Sequence, residues 1–360
     1  MIMAKSVNLS NKTDFMNTWL QFLAQQGAQL QTDEREVVGF DLGVAPAGEF
    51  VAPLTDLGLI AVTGEEAALF LHNQLTNDVE HLGSAEVRLA GYCSAKGRLL
   101  ATFLMWKSAD TIMLQLPRQL QAAVQKRLQM FVMRTKAKLA DVSDDLVVLG
   151  LSGEPASAAL TQWFPTLPAS PYAKVDSVAG TLIRMPNAFD APRYQWITKP
   201  DTAQQAWPAL AKVLSPAGTR AWRLGEINAG IPQITQPTQE QFVPQMVNYE
   251  LIGGVNFKKG CYPGQEIVAR SQYLGKLKRR MVLASVDTHE AKAGMEVFSS
   301  ADPEQPCGMV VNAEPNPAGG MDCLVEVKLA ALADATVHLG SAGGAQLKFN
   351  ALPYPLPDAA

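Results

Sequence analysis

Between Leu57 and Phe164 one order of patterns, strand then helix then several strands, runs through once and begins again. The apolar run Leu57-Gly-Leu-Ile-Ala-Val62 predicts a buried strand. Thr63-Gly-Glu-Glu66 matches a capping box, with Thr at the N-cap and Glu three residues on, and predicts that a short helix carrying Ala67, Leu69, Phe70, Leu71 and Leu75 starts there. Alternation at Arg88–Tyr92, Leu99–Trp106 and Thr111–Leu116 predicts strands, the first two joined by the turn Ala95-Lys-Gly-Arg98. Pro117 opens a helix where its missing N–H costs nothing, with Leu120, Val124, Leu128 and Val132 on the core face. Strands near Thr135–Ala140 and Leu146–Leu151 and a helix over Ala158–Phe164 start the second unit. Such an order favours α+β layers over a doubly wound parallel sheet, in which strand and helix alternate throughout.

After Lys278 the pattern changes. Met281–Val286, Met295–Phe298, Gly308–Val311, Leu324–Val327, Thr336–Leu339 and Leu347–Phe349 are short strand candidates separated by Gly- and Pro-rich turns, which predicts a small antiparallel β-barrel or sandwich. At the other end, Phe15, Trp19, Phe22 and Leu23 fall on one helical face, so a helix is expected over Asp14–Gln26. A chain of 360 residues is long for one domain, and the pattern divides it into 1–50, 51–145, 146–277 and 278–360.

Several chemistries lack their signatures. No Gly-x-Gly-x-x-Gly follows a strand, and no Walker-type loop, Cys-x-x-Cys pair or Gly-x-Ser-x-Gly elbow occurs. The four histidines are dispersed, and no metal site is expected. Four cysteines are too few and too scattered for a disulfide scaffold and fit a reducing compartment. The first 30 residues hold two lysines and no arginine, with no continuous apolar stretch, and no run of 18 apolar residues occurs anywhere. A cytoplasmic chain without a membrane span is the expectation. A formal net charge of −4 argues against a generally polybasic binder.

The run from Gly253 to Arg270 is not generic. Cys261 stands between Lys258-Lys259-Gly260 and Tyr262-Pro263-Gly264, just before an apolar helical pattern at Ile267 and Val268. Neighbouring lysines and a helix N-terminus favour the reactive form of a thiol. Gly260 and Gly264 permit close approach or positive φ. The residues alone leave two readings open, a reactive thiol and a small hydrophobe packed in a turn. Residues 258–280 also carry Lys258, Lys259, Arg270, Lys276, Lys278, Arg279 and Arg280 against Glu266 alone. That stretch suits RNA phosphates, an acidic partner, the glutamate tail of a folate, or simply a solvated linker.

Lys259-Gly-Cys-Tyr-Pro-Gly-Gln-Glu266 resembles the Lys-Gly-Cys-Tyr-x-Gly-Gln-Glu signature of the YgfZ family. The resemblance extends over about residues 50–355 through Val62-Thr-Gly64, Gln74-Leu-Thr-Asn-Asp-Val79, Cys93-Ser-Ala-Lys-Gly97, Ala229-Gly-Ile-Pro232, Phe242-Val-Pro-Gln245 and Leu352-Pro-Tyr-Pro355. That family comprises folate-binding, tRNA-modifying proteins related to a mitochondrial iron–sulfur assembly factor and to the glycine-cleavage T-protein. The resemblance implies a three-domain T-protein-like architecture. An N-terminal extension (1–50) precedes a first folate-binding domain (51–145), a second domain with the cysteine motif (146–277) and a C-terminal β-barrel (278–360).

The implied cofactor is tetrahydrofolate or a derivative, and the implied role is support of iron–sulfur cluster assembly or repair, and thereby of tRNA modification, in a monomer serving iron–sulfur or tRNA-modifying enzymes. The resemblance places the folate-stacking tryptophan on Trp222, while a second family tryptophan falls on Leu57. Asn228 stands where T-proteins carry the glutamate that reads the pterin, with Glu226 two residues away, and Gln265 stands where relatives carry an arginine. Cys261 is the implied functional thiol, within a motif of Lys259, Gly260, Tyr262, Gly264, Glu266 and Arg270. The aspartate of aminomethyl transfer falls on Leu100, whose side chain accepts no proton, so ordinary aminomethyltransferase activity is not expected. The alternative is a folate-dependent one-carbon transferase acting on a small molecule or on tRNA.

Overall fold

The computed structural model describes residues 18–31, 36–40, 48–133, 135–273, 277–333 and 335–357. Three sheets dominate it. The first is antiparallel, in the order Val87–Cys93, Leu99–Ser108, Thr111–Pro117, Leu57–Thr63, Lys138–Asp141. Eight consecutive residues from Leu99 to Trp106 are buried, because both faces of this sheet are covered. Arg118–Gln129 packs on it through Leu120, Val124 and Leu128, as the helical spacing requires.

The second sheet runs Lys174–Ser177, Gly180–Ala188, Ala191–Thr198, Val147–Ser152, Phe50–Pro53, Ser215–Pro216, and only its last pair is parallel. Helices Glu154–Leu160 and Pro200–Val213 contribute to its core. The N-terminal helix Thr18–Gln25 and the hairpin Ala28–Gln31/Glu36–Phe40 join that core. Trp19 meets Trp207 edge-on at 5.9 Å between ring centroids, and Phe40 stacks on the same indole at 5.5 Å.

The third sheet contains all six C-terminal strand candidates, ordered Val337–Leu339, Glu296–Ser299, Asp302–Pro315, Met321–Lys328, Arg279–Val286, Leu347–Asn350, all antiparallel. It curls into a half-barrel. A bridge between His338 and Gln346 brings its two edges together.

Some local expectations are corrected. Thr63 does not cap a helix: it ends its strand, and the helix Ala67–His72 follows Glu66 without a side-chain cap. The Glu66 carboxylate instead accepts the Lys136 N–H at 2.6 Å, a tertiary partner invisible to local spacing. The helix of the second unit occupies Glu154–Leu160, earlier than expected, because Gly153 at φ +101° and Pro155 in the first turn set its start. Of the expected N-terminal helix, positions 14–17 lie outside the described residues. The hairpins over Lys174–Thr198 and the helices Pro200–Val213 and Thr219–Asn228 add elements that the sequence pattern did not reveal. Among the described residues no helix is long and apolar enough to cross a membrane.

The segment from 229 to 264 wraps between the sheets and carries little regular structure. It is pinned to the first sheet by the Gln-Leu-Thr-Asn-Asp-Val stretch. Thr76 Oγ1 accepts the Gly91 N–H at 2.7 Å and donates to the Gly254 carbonyl at 2.6 Å. Asn77 Nδ2 donates to the carbonyls of Leu89 and Gly253, both at 2.7 Å. Two motifs some 178 positions apart thus meet face to face.

Candidate functional site

Polar side chains that share no local pattern converge where the three sheets meet. The helix Thr219–Asn228 presents Glu226 there, 4% exposed. Its carboxylate is ion-paired with Arg193 of the second sheet, which is itself 1% exposed and also donates to the Gly225 carbonyl at 2.9 Å. Burial pushes the Glu226 carboxyl above the usual carboxylate range, opposed by Arg193. Glu226 stands at the boundary of two spaces. Inward lies a recess of about 30 Å³ whose lining includes Leu57, Gln115, Gln195 and Tyr249. Outward lies a cleft of about 650 Å³ bordered by Arg118, Arg223, Lys292 and Glu314.

The recess holds two unmatched groups: Gln115 Nε2, a donor, and Gln195 Oε1, an acceptor, are buried without hydrogen-bond partners among the described residues. Buried polar atoms are ordinarily paired, so an unpaired donor and acceptor around one space mark a place for a polar ligand edge. The cleft is of the size that encloses a small ligand, whereas the recess alone is the size of one water. The unpaired donor and acceptor would match a ligand edge that itself carries both.

Arg223 closes one side of the cleft. It reaches Glu36 at 2.7 Å, Asp56 at 3.0 Å and Glu314, and so ties the N-terminal hairpin, the first sheet's approach and the third sheet together. Burial raises the carboxyls of Asp56 and Glu314 despite this cation.

The residues assigned by resemblance divide between two places. Leu57 lines the recess. Trp222 lies behind it, 1% exposed, with the Arg193 guanidinium 4.2 Å from its ring centroid and Gly150 so close that an added Cβ would fall 2.4 Å from the indole. Its Nε1 is buried without a partner among the described residues. Asn228 turns away, donating to the Leu224 carbonyl and to Asp322 of the third sheet, both at 3.1 Å. Leu100 is 7% exposed within the main apolar cluster. Gln195, Arg193 and Gln115 carried no motif. Their sign in the sequence is a polar residue inside a strand whose neighbours are all apolar or aromatic, as in Tyr194-Gln-Trp-Ile197 and Met113-Leu-Gln-Leu116.

The second place is the cysteine motif. Gln265–Tyr273 forms its helix, with Gln265 half-buried at the start and Val268 anchored inward, its carbonyl accepting from Gln245 Nε2 at 2.7 Å. Gly264 at φ +78° docks on the turn of residues 94–97: an added Cβ would lie 2.4 Å from the Ser94 carbonyl. Glu266 and Arg270 face outward. Tyr262 is 7% exposed, with the Lys259 ammonium 4.7 Å from its ring centroid. Lys259 Nζ donates to the carbonyls of His72 and Leu75, the latter at 2.9 Å. Burial brings the Lys259 ammonium down to about 8, against the opposing pull of Asp78, Cys261 and Glu80.

Cys261 alone of the four cysteines is exposed. Burial holds the Cys93 and Cys323 thiols up at about 12, which leaves them inert near neutrality. Three cations of the basic stretch around the motif are engaged, while Lys258, Arg270 and Lys278 are exposed. Arg279 pairs with both Glu326 oxygens at 2.8 and 2.9 Å, Arg280 pairs with Glu250, and Lys259 serves the two carbonyls. Lys276 lies outside the described residues.

No protein-family model matches the chain. Among curated proteins it is similar to the tRNA-modifying protein YgfZ of Cronobacter sakazakii, 35% identical over 244 residues (66% of this chain, 72% of that protein). It is also similar to the protein of the same name from Klebsiella pneumoniae, 30% identical over 308 residues (85% and 93%). Among solved structures it resembles the glycine cleavage system aminomethyltransferase T of Bartonella henselae, with a TM-score of 0.76 at 18% identity over 92% of this chain and 96% of that one. The α+β architecture expected from the sequence is therefore that of the T-protein fold.

Proposed function

The chain belongs to the YgfZ family, whose members at 30–35% identity carry the name tRNA-modifying protein, and on that premise we propose that it binds a reduced folate between its three sheets and supports tRNA modification through the thiol of Cys261. The observation that carries this reading is the separation of two sites: a central space with unpaired polar atoms, and a surface motif holding the one exposed cysteine. When bound, tetrahydrofolate would supply a one-carbon carrier or a redox-active ring. The ring, a flat heterocycle with donors and acceptors on its rim, would lie in the cleft against Glu226 with one polar edge reaching the recess toward Gln115 and Gln195, and Arg118 and Lys292 would face its acidic tail. The thiolate is a soft ligand for iron and sulfur, which suits brief contact with a cluster or its sulfur. Through cluster-dependent tRNA-modifying enzymes, such contact would reach tRNA indirectly. The runner-up, a one-carbon transferase, is disfavoured because Leu100 sits in apolar surroundings where that chemistry needs an acid.

Calorimetry with tetrahydrofolate is expected to give saturable heat in the wild type and binding about ten-fold weaker in Gln195→Leu, the cost of one lost buried hydrogen bond. No heat in the wild type would remove the folate part of the proposal. In a strain lacking its own YgfZ protein, Cys261→Ala is expected to abolish rescue of a cluster-dependent tRNA modification while leaving that calorimetry unchanged. Full rescue would make the thiol dispensable.

A further inference from the structure

The histidine nearest the cysteine motif belongs to a distant part of the chain. Helix Ala67–His72 ends against the loop that carries Cys261, and Lys259 holds the two together by donating to the His72 and Leu75 carbonyls. The His72 imidazole is buried, its side chain 8% exposed. One nitrogen is committed. Nδ1 faces Asp78 Oδ1 at 3.1 Å and Glu80 Oε2 at 3.5 Å, while the Val79 N–H lies at 3.4 Å. Two carboxylates outweigh one long amide contact, so the proton belongs on Nδ1 and Nε2 presents its lone pair. Asp78 is fixed in turn: it accepts from the His81 N–H at 3.2 Å and meets the His81 ring at 2.8 Å. Contact with His81 holds the Asp78 carboxyl below the usual range despite its partial burial. The free nitrogen, Nε2, looks onto the motif loop, 3.7 Å from where a Cβ on Gly260 would stand. Cys261 is the next residue, its Cα about 3.8 Å further along the chain.

The geometry points to His72, oriented by Asp78, as the base that takes the proton of the Cys261 thiol. This rests on Cys261 being the reactive thiol proposed above. The groups around the imidazole are Asp78 and Glu80 on the Nδ1 side, with His81 behind Asp78. Gly260 of the motif loop lies on the Nε2 side, and Lys259 meets the His72 carbonyl. Lys259 latches the loop, and its charge stands beside the thiolate that forms. Asp78 is a positioning residue: it fixes the tautomer and steadies the imidazolium. Arrangements of this kind activate cysteine nucleophiles wherever thiol and base share one surface.

Iodoacetamide alkylation of the full-length chain, followed cysteine by cysteine by mass spectrometry from pH 6.5 to 9.5, tests this. The cysteine sulfur forms a bond to the methylene carbon, iodide leaves, and the thiol proton passes to His72 and on to solvent. In His72→Gln the Cys261 rate is expected to fall about ten-fold or more at pH 7 and to rejoin the wild type at pH 9.5, where solvent alone ionises the thiol. Asp78→Asn should show a smaller loss of the same shape. Unreactive Cys93 reports that each variant is folded; if it becomes labelled in His72→Gln, Asp78→Asn decides by the same comparison. The wild type offers a further readout, since carbamidomethylation of Cys261 should change the pH titration of the His72 ring resonances. A fast wild-type rate that neither substitution alters, or that both lower equally at every pH, overturns the base, as does an unaltered His72 titration. A wild-type Cys261 no faster than Cys93 overturns the reactive-thiol reading and the base together.

Discussion

Arg193→Met is expected to destabilise the chain by about 3–5 kcal/mol, because it leaves a buried carboxylate with no counter-ion. Arg193 is 1% exposed and covers the Trp222 ring, so methionine preserves much of the packing and removes the charge. Glu226, 4% exposed, then has no cation in contact. Its carboxyl already sits above the usual range because of burial, with Arg193 opposing, and loss of Arg193 raises it further. The sign of the pH dependence follows. An acid whose folded value lies above its unfolded one contributes stability in the acid range and loses it as pH rises through the folded value. The deficit in urea midpoint should therefore be larger at pH 7.5 than at pH 5. Equal midpoints for variant and wild type at pH 7.5 would show that the pair contributes nothing. The same substitution should weaken tetrahydrofolate binding, since Glu226 borders both recess and cleft.

Gly264→Ala is expected to abolish the Cys261-dependent rescue while sparing the central site. An L-residue at φ +78° costs about 1–2 kcal/mol by itself. The new Cβ would also stand 2.4 Å from the Ser94 carbonyl and 2.6 Å from the Gly97 Cα. Both are backbone atoms that no rotamer change moves aside, so the motif helix must lift off the turn. Hydrogen exchange should show the loss at the Gly97 and Val268 amides, which bond to the Ser94 and Gly264 carbonyls. Calorimetry with tetrahydrofolate should stay near wild type. Normal exchange together with full rescue would refute the docking role given to this glycine.

How much of this was legible beforehand depended on whether the deciding partner was local. The six strands of the third sheet were legible because Gly and Pro punctuate them and no distant residue is needed to define a turn. Cys261 stood out because its lysines and Pro263-Gly264 are adjacent in sequence. The fates of the neighbouring cations were not legible. Arg279 is matched by Glu326 and Arg280 by Glu250, 47 and 30 positions away, so two cations of a run that reads as a basic patch are paired internally. Lys258 and Lys259 look equivalent in the sequence, yet only the second is turned inward to the carbonyls of His72 and Leu75. Glu226 and Asn228 were separable only once the helix was placed, since two residues on a helix point to different sides. Gln115 and Gln195 acquire meaning only where two sheets meet.

The pinning of Gly253 and Gly254 by Thr76 and Asn77 has a consequence for how the molecule is made. At 5–20 residues per second, the ribosome needs about 10–35 s to travel between the two halves of that contact. In that interval the Thr76 hydroxyl, the Asn77 amide and the carbonyls of His72 and Leu75 await partners not yet synthesised. Contacts this far apart in sequence are slow to close and form late. The cysteine loop gains its surroundings only when the strap from 229 to 264 has crossed back over the first sheet, so a nascent or truncated chain that ends before Gly254 exposes those unpaired groups and carries no assembled thiol site.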